Sequence, residues 1–139
     1  MKKETVLLWW AQCRAAVMAL GGWLGYFVGG LDGLLTALLV FTILDYLTGV
    51  LCAIADKALS SAVGYKGICR KALIFVLVGV GHVLDTQVAG SGAAIRTAVI
   101  CFYLSNEGIS LLENVARLGL PVPERLKAAL KQLHGKEDE

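Results

Sequence analysis

Four long apolar stretches limit what this chain can fold into more than any other feature of its sequence. A helix needs about 20 residues to cross the hydrocarbon core of a bilayer. The apolar stretches cover approximately residues 6–28, 33–55, 68–89 and 93–115. Since each is long enough to cross, the sequence predicts an all-α, polytopic membrane protein with four transmembrane helices.

The composition also favours a membrane protein. Apolar residues make up 57% of the 139 residues and charged residues 17%, whereas an ordinary soluble domain carries about 25% charge. A soluble chain of this length would bury too small a fraction of its surface to hide so many apolar side chains. We therefore expect the lipid bilayer to be its partner. The net charge of +2 does not indicate a nucleic acid partner.

The basic residues indicate how the predicted bundle is oriented. With four spans, the N-terminal region, the loop over residues 56–71 and the C-terminal region share one side. These three regions carry 12 of the 13 Lys and Arg residues, and only Arg96 lies near the other side. The positive-inside rule therefore predicts that both termini are cytoplasmic. An arrangement with three spans would split the positive charge between the two sides and is the second choice.

The predicted domain organisation changes at about residue 119. Residues 1–119 form the four-helix transmembrane domain, which the Pro-Val-Pro segment 121–123 ends. Residues 120–139 form a cytoplasmic segment with a short amphipathic helix at about residues 124–133. This helix is expected on the membrane surface or against the cytoplasmic ends of the spans. The charged tail, residues 136–139, is predicted to be disordered.

Three glycines in the first span are spaced by four residues: Gly21, Gly25 and Gly29. A row of small residues at this spacing lets helix backbones approach closely in lipid. One interpretation is that this face mediates self-association. The other is that it packs against another helix of the same chain.

An acidic residue, Asp45, lies near the middle of the second span, on the same helical face as Thr42, Gly49 and Cys52. An ionised carboxylate at this depth costs about 3 kcal/mol or more. We therefore expect Asp45 to be protonated, paired or hydrated. A structural polar contact inside the bundle and a role in a pore or in assembly are both open.

The fourth span is the most polar of the four. The polar stripe, as we call the polar side chains that follow this helix along its length, consists of Arg96, Tyr103, Asn106, Glu107, Ser110, Glu113, Asn114 and Arg117. A helix that faces lipid does not tolerate such a stripe. The stripe must therefore face protein, as a polar seam within one subunit, or water, as the lining of an oligomeric pore.

Two further features belong to the third and fourth spans. A row of small residues is expected to allow close helix packing: Thr97, Cys101, Ser105 and Gly108. Asp85 and Arg96 lie at similar depth across a tight hairpin and are expected to pair. His82, one turn before Asp85, is interpreted as a hydrogen-bonded packing residue rather than a proton switch.

The sequence contains no recognisable catalytic, cofactor or metal site. It has no phosphate-binding Gly-rich loop, no HExxH motif and no nucleophile with a base at plausible spacing. The four cysteines form no CxxC pair. Most lie in or beside apolar segments, where Cys acts as a small hydrophobic residue. We therefore expect neither enzymatic activity nor a cofactor.

Three motifs occur in a single order along the chain. Asp45, Thr48 and Gly49 form a D-x-x-T-G motif in the second span. Residues 60–71 read S-S-x-x-G-x-x-G-x-x-R-K, and residues 103–123 contain the part of the polar stripe that follows Arg96 and the Pro-x-Pro break. Together these segments resemble the toxin-secretion/phage-lysis holins of Gram-positive phages and clostridia.

The resemblance implies a holin, a homo-oligomer that forms lesions in the bacterial cytoplasmic membrane. Such lesions release an endolysin, which is a peptidoglycan hydrolase, or a large protein toxin. The pore and assembly candidates are the polar residues of the second and fourth spans: Asp45, Thr48, Gly49, Arg96, Tyr103, Asn106, Glu107, Ser110, Glu113 and Asn114. A small multi-pass ion channel or transporter is the first alternative. A membrane scaffold without a pore is the second.

Overall fold

The computed structural model describes residues 3–90 and 92–134. It contains five α-helices: α1 (Lys3–Phe27), α2 (Gly33–Ala55), α3 (Ser61–Val83), α4 (Ala94–Arg117) and α5 (Glu124–His134). A π-helical turn, Leu84–Val88, continues α3. No strand occurs in the described residues, which confirms the all-α prediction. The tail predicted to be disordered, residues 136–139, lies outside the described residues.

The core lies between α2, α3 and α4. The side chains of Leu38, Val78 and Ile100, one from each of these helices, are completely buried. The whole core cluster consists of Leu35, Leu38, Ile74, Val78, Ile100 and Leu104. Its members recur at helical spacing, so each helix presents one apolar face to the other two. This three-helix unit is the frame that positions the polar residues described below.

The turn between α1 and α2 lies at one end of the bundle. Gly29 and Gly30 adopt φ angles of +82° and +87°, which favour glycine because they lie in the left-handed region. The Oδ1 atom of Asp32 accepts a hydrogen bond of 2.8 Å from the Leu35 amide. Asp32 therefore caps the N-terminus of α2, where backbone N–H groups lack helical partners.

Helix α1 contacts the rest of the chain near its C-terminal end only. The Phe27 ring lies against Gly79 of α3, so closely that a Cβ atom at Gly79 would lie 2.0 Å from the ring. None of the residues of α1 is buried. The remainder of α1 therefore presents its apolar side chains outward.

Helix α3 begins at Ser61, well before the predicted span at residue 68. The prediction of a polar loop over residues 56–71 is therefore wrong from Ser61 onward. The basic residues of this segment led to that prediction, but exposed charges are compatible with a helix that extends beyond a bilayer. The consequence is that Lys71 lies in a helix, one turn inside the predicted span.

Two helices are long and apolar enough to cross a membrane by length and composition: Gly33–Ala55 and the continuous helix Ser61–Val88. By this test two helices qualify as membrane spans, whereas four were predicted. Helix α1 falls short because Gln12 and Arg14 interrupt its apolar run. Helix α4 falls short because it carries the polar stripe.

Helix α5 folds back along α4 instead of staying at its end. The Leu130 side chain lies against Gly108 and Phe41, and the Ser105 hydroxyl donates a hydrogen bond of 2.6 Å to the Leu130 carbonyl. Ser105 lies near the midpoint of α4. The amphipathic helix therefore reaches further along the bundle than was predicted from its sequence.

Candidate functional site

A cluster of charged side chains joins α2, α3 and α4. The Nζ atom of Lys71 lies 2.6 Å from Oδ2 of Asp45 and also contacts Oε2 of Glu107. Each helix contributes one member of this group, which we call the charge triad. The triad therefore ties the three helices of the core together through one ammonium group.

The charge triad holds two carboxylates and one ammonium, and it is largely shielded from solvent. The exposed fractions of the Lys71, Asp45 and Glu107 side chains are 17%, 11% and 12%. When all three groups are ionised, the triad carries a net charge of −1. Because shielded charges are strongly disfavoured without partners, removing Lys71 would leave two uncompensated carboxylates, whereas removing one carboxylate would leave a one-to-one pair.

Asn114 completes the polar contacts of Asp45. Its Nδ2 atom donates to Oδ1 of Asp45 at 3.0 Å and to Oγ1 of Thr48 at 3.1 Å. Gly49 lies beside the same nitrogen, and a Cβ atom there would lie 3.7 Å from it, in ordinary van der Waals contact. The Cys52 thiol donates to the Asn114 carbonyl at 3.4 Å. The D-x-x-T-G motif of α2 therefore meets the C-terminal half of the polar stripe.

A cleft opens beside the charge triad, between α3 and α4. It has a volume of about 640 Å³ and is lined in part by Arg70, Tyr103, Asn106 and Ser110. Five of the predicted pore or assembly residues therefore lie at one place, since Asp45 and Glu107 also line this cleft. The cleft gives the polar side of α4 a space that water or another polar segment can fill.

A second polar cluster, around Arg96, lies at the opposite end of the bundle. The Nη1 atom of Arg96 lies 2.5 Å from Oδ2 of Asp32. Its Nε and Nη2 atoms donate to the carbonyl oxygens of Val28 and Gly30 at 2.6 and 2.9 Å. The guanidinium is 4% exposed, so its hydrogen bonds fasten the α1–α2 turn to α4.

Asp32 lies in the turn and titrates differently from a free carboxyl group. The hydrogen bond from Arg96, followed by the one from the Leu35 amide, holds the pKa of Asp32 below its ordinary value of 3.8. Both donors favour the charged form of the carboxyl. Asp32 therefore stays ionised at any pH near neutrality.

Asp85 and Arg96 do meet, although not through two charged side chains as was expected. The Asp85 carboxylate accepts hydrogen bonds of 3.0 and 2.8 Å from the backbone amides of Ile95 and Arg96. It thereby caps the N-terminus of α4 from the preceding helix. The guanidinium of Arg96 turns instead toward Asp32.

The small residues predicted to pack helices fall into different surroundings. Ser105 and Gly108 are buried, and both lie against Leu130 of α5. Gly29 lies against His82 and Arg96, whereas no atom lies within 4 Å of a Cβ built at Gly21 or Gly25. The first glycine row therefore packs within the chain at its last member only. Thr97 and Cys101 are partly buried.

Two residues that matter to these clusters were missed from the sequence. Lys71 was assigned to a cytoplasmic loop, although its position directly before the apolar run of α3 was a signal. Asp32 was not singled out, although an Asp before a helix is a common cap. One predicted member of the polar stripe, Glu113, is exposed and forms none of the ion pairs found among residues 3–90 and 92–134.

Comparisons with known proteins agree with the motifs. A family model described as a bacteriophage holin family matches residues 22–135. A 14.9 kDa Clostridium perfringens protein from the nagH 3′ region is 46% identical over 121 residues, 87% of this chain and 92% of that protein. A probable holin of Bacillus phage phi105 is 34% identical over 105 residues, 76% of this chain and 77% of that protein. No solved structure matches the chain.

Proposed function

This chain belongs to the bacteriophage holin family, and from that premise we propose that it is a holin. It accumulates in the bacterial cytoplasmic membrane and then oligomerises into lesions that release a protein cargo. The observation that carries this proposal is the polar face of α4 beside the charge triad. Such a face is incompatible with lipid, and it suits a protein that changes between a closed bundle and an assembly around water.

The proposed topology has four spans, with α1 and α4 crossing the membrane alongside α2 and α3. The charges of Arg14 and Glu107 make α1 and α4 poor spans as isolated helices. In a bundle, a polar residue can face protein or a water-filled space instead of lipid. The distribution of Lys and Arg supports placing both termini in the cytoplasm.

In the resting state, the charge triad keeps α3 against α2 and α4. Rearrangement of the bundle would separate the ammonium of Lys71 from its carboxylates and turn them toward water. Charges within the membrane feel the membrane potential, at about 2.3 kcal/mol per charge per 100 mV if moved across the whole field. Depolarisation therefore biases the equilibrium between the closed and the assembled states.

The cargo proposed from the family is an endolysin, and a protein toxin is the second possibility. Either is far larger than an ion, so the lesion must admit folded protein. This separates the holin from the alternative of a small ion channel or transporter. A membrane scaffold, the other alternative, would leave the membrane intact. None of these functions requires chemistry by the protein, so we propose no enzymatic activity.

The deciding experiment expresses the full chain from an inducible promoter in a Gram-positive host. The medium is then assayed for potassium and for a folded cytoplasmic reporter enzyme. A holin releases both abruptly after a delay. Release of potassium without the enzyme would identify an ion channel, and release of neither would identify a scaffold. A chain truncated before Ala94, which lacks α4 and α5, is the negative control.

A further inference from the structure

Two adjoining cavities lie along the face between α3 and α4, and we call them together the α3/α4 groove. The larger, of about 640 Å³, contains Asn106 and Glu107. The smaller, of about 330 Å³, is apolar and contains Val99. Leu77 and Tyr103 line both cavities, so the groove is continuous. Residues of α1 line neither cavity, and α5 lies on the other side of α4, against Phe41.

One end of the α3/α4 groove is polar, and this constrains what can fill it. Acyl chains fit poorly beside Asn106 and the carboxylate of Glu107, because hydrocarbon offers neither hydrogen bonds nor charge. The occupant must therefore be polar at the level of the charge triad and apolar near Val99. It must also be slim enough to approach a helix pair closely.

Helix α1 carries a face with these properties. Arg14, Met18, Gly21 and Gly25 lie at helical spacings of four, three and four residues, so they share one face. No atom of the chain lies within 4 Å of a Cβ built at Gly21 or Gly25. Among residues 3–90 and 92–134, Arg14 makes none of the ion pairs. This face of α1 is therefore unpartnered and positively charged.

The depths of the charged groups match between α1 and the groove. Val28, Gly81 and Arg96 lie at one level, since Nε of Arg96 bonds the Val28 carbonyl and the Arg96 backbone touches Gly81. At 1.5 Å per residue, Arg14 lies about 21 Å from this level along α1, and Glu107 about 17 Å along α4. The difference is within the reach of an Arg side chain.

The sizes of the side chains match as well. By the same count, Gly21 of α1 and Tyr103 of α4 each lie about 11 Å from the common level. Tyr103 is the bulky residue that lines both cavities. A glycine opposite it leaves room for the ring, as small residues do where helices pack closely in membranes.

We propose that α1 of one copy occupies the α3/α4 groove of the next copy, with Arg14 beside Glu107. Arg14 thereby adds a cation beside the two carboxylates of the charge triad, whose own cation is Lys71, in a cleft that Arg70 also lines. Because the two surfaces differ, the contact is heterologous, and repetition builds a ring or an open chain of subunits. This inference rests on the proposed function and assigns the interface of the assembly.

Cysteine cross-linking in membranes tests the interface directly. In a full-length background with Cys13, Cys69 and Cys101 changed to Ala, Met18→Cys and Asn106→Cys are combined in one chain. At 1.5 Å per helical residue, both positions lie about 15 Å from the level of Val28 and Arg96. Oxidation is expected to produce a ladder of dimers, trimers and larger species. Ala16→Cys with Asn106→Cys is the matched control, because Ala16 lies on the opposite face of α1.

Co-expression of two single-cysteine variants and reversal of the Arg14 charge make the test more specific. Cells that co-express the Met18→Cys and Asn106→Cys single variants should yield cross-linked dimers and nothing larger. Adding Arg14→Glu to the double-cysteine chain should lower the cross-linked fraction about tenfold, because like charges would then meet. Arg14→Lys should retain most of it.

The result that overturns the interface is cross-linking of Met18→Cys alone, or equal ladders from the Ala16 and Met18 pairs. Absence of a ladder while the background chain still releases the reporter enzyme also overturns it and leaves the proposed function intact. A ladder without enzyme release supports the interface and overturns the proposed function.

Discussion

Lys71 of α3 and Asp45 of α2 form an ion pair across the bundle, with 2.6 Å between Nζ and Oδ2. The same ammonium contacts Glu107 of α4. One side chain therefore links three helices, and the two carboxylates lie close together only because the ammonium lies between them. Each acidic member depends on Lys71, whereas Lys71 can lose one carboxylate and keep the other.

The first prediction concerns the unequal roles of Lys71 and its two carboxylates in stability. Lys71→Met leaves two shielded carboxylates facing each other, whereas Glu107→Gln leaves a one-to-one pair. Removing one partner of a buried ion pair lowers the free energy of unfolding by about 3–5 kcal/mol. We expect a loss of about 3 kcal/mol for Lys71→Met. Glu107→Gln should cost about 1 kcal/mol. Thermal unfolding of the purified protein in detergent measures both.

Lys66→Met is the control for the first prediction, since Lys66 is exposed on the same helix. It should leave the free energy of unfolding nearly unchanged. If Lys71→Met were as mild as Lys66→Met, the charge triad would not hold the bundle together.

The second prediction concerns the timing of lysis. Asp45→Asn combined with Glu107→Gln leaves Lys71 without a carboxylate and removes two charges that respond to the membrane potential. We expect earlier lysis after induction and a weaker effect of a depolarising uncoupler. Glu113→Gln, at an exposed position of the same helix, is the matched control. Unchanged timing and an undiminished uncoupler response in the double variant would contradict the proposed trigger.

Much of the fold could be predicted from hydropathy, because α2 and α3 are apolar over a length that few soluble helices reach. The sequence also offered a polar contact inside the bundle as one of two interpretations of Asp45, and the structure contains such a contact, since Asp45 and Thr48 both contact Asn114. Polarity alone showed that α4 cannot face lipid. It did not show which polar neighbours that helix would find.

The parts that could not be predicted depend on pairing between distant segments. Lys71 follows Arg70 in a basic segment, so the charge count assigned it to the cytoplasm. Its contacts depend on a helix that begins at Ser61. The amphipathic pattern of α5 predicted a buried face but could not identify its partner. That partner is the space over Gly108, next to Phe41, which we call the Gly108 notch. It forms only when α2 and α4 pack together.

The third prediction concerns this notch. Leu130 is buried against Gly108 and Phe41, whereas Leu126 on the same helix is 46% exposed. Leu130→Ala removes the main apolar contact of α5, at a cost of about 2–5 kcal/mol for a buried leucine. We expect α5 to detach and trypsin to cleave at Arg125 at least about tenfold faster.

Limited proteolysis followed by mass spectrometry measures the third prediction. Leu126→Ala is the matched control, because it shortens the same side chain at an exposed position and should not change the cleavage rate. Equal rates for the two variants would contradict the docking of α5 on α4.

The last prediction follows from the pKa of Asp32, which the hydrogen bond from Arg96 lowers below 3.8. A carboxyl with a lowered pKa in the folded state stabilises the fold above its unfolded pKa, and this contribution is lost as the pH falls through the folded value. Asp32→Asn removes this dependence. We therefore expect the melting temperature of the unmodified chain to fall more steeply than that of Asp32→Asn below about pH 4.

The comparison of Asp32→Asn with the unmodified chain is made in detergent across that pH range, and Asp56→Asn serves as the control. Asp56 also pairs with an arginine, at 2.6 Å, but both side chains are more than half exposed. Exposed ion pairs contribute little to stability. The melting temperature of Asp56→Asn should therefore change with pH in the same way as that of the unmodified chain. If the melting temperatures of Asp32→Asn and the unmodified chain changed with pH in parallel, Arg96 would fasten the turn through the Val28 and Gly30 carbonyls alone. In that case Arg96→Lys, which cannot reach both carbonyls with a planar fork, would still lower the melting temperature.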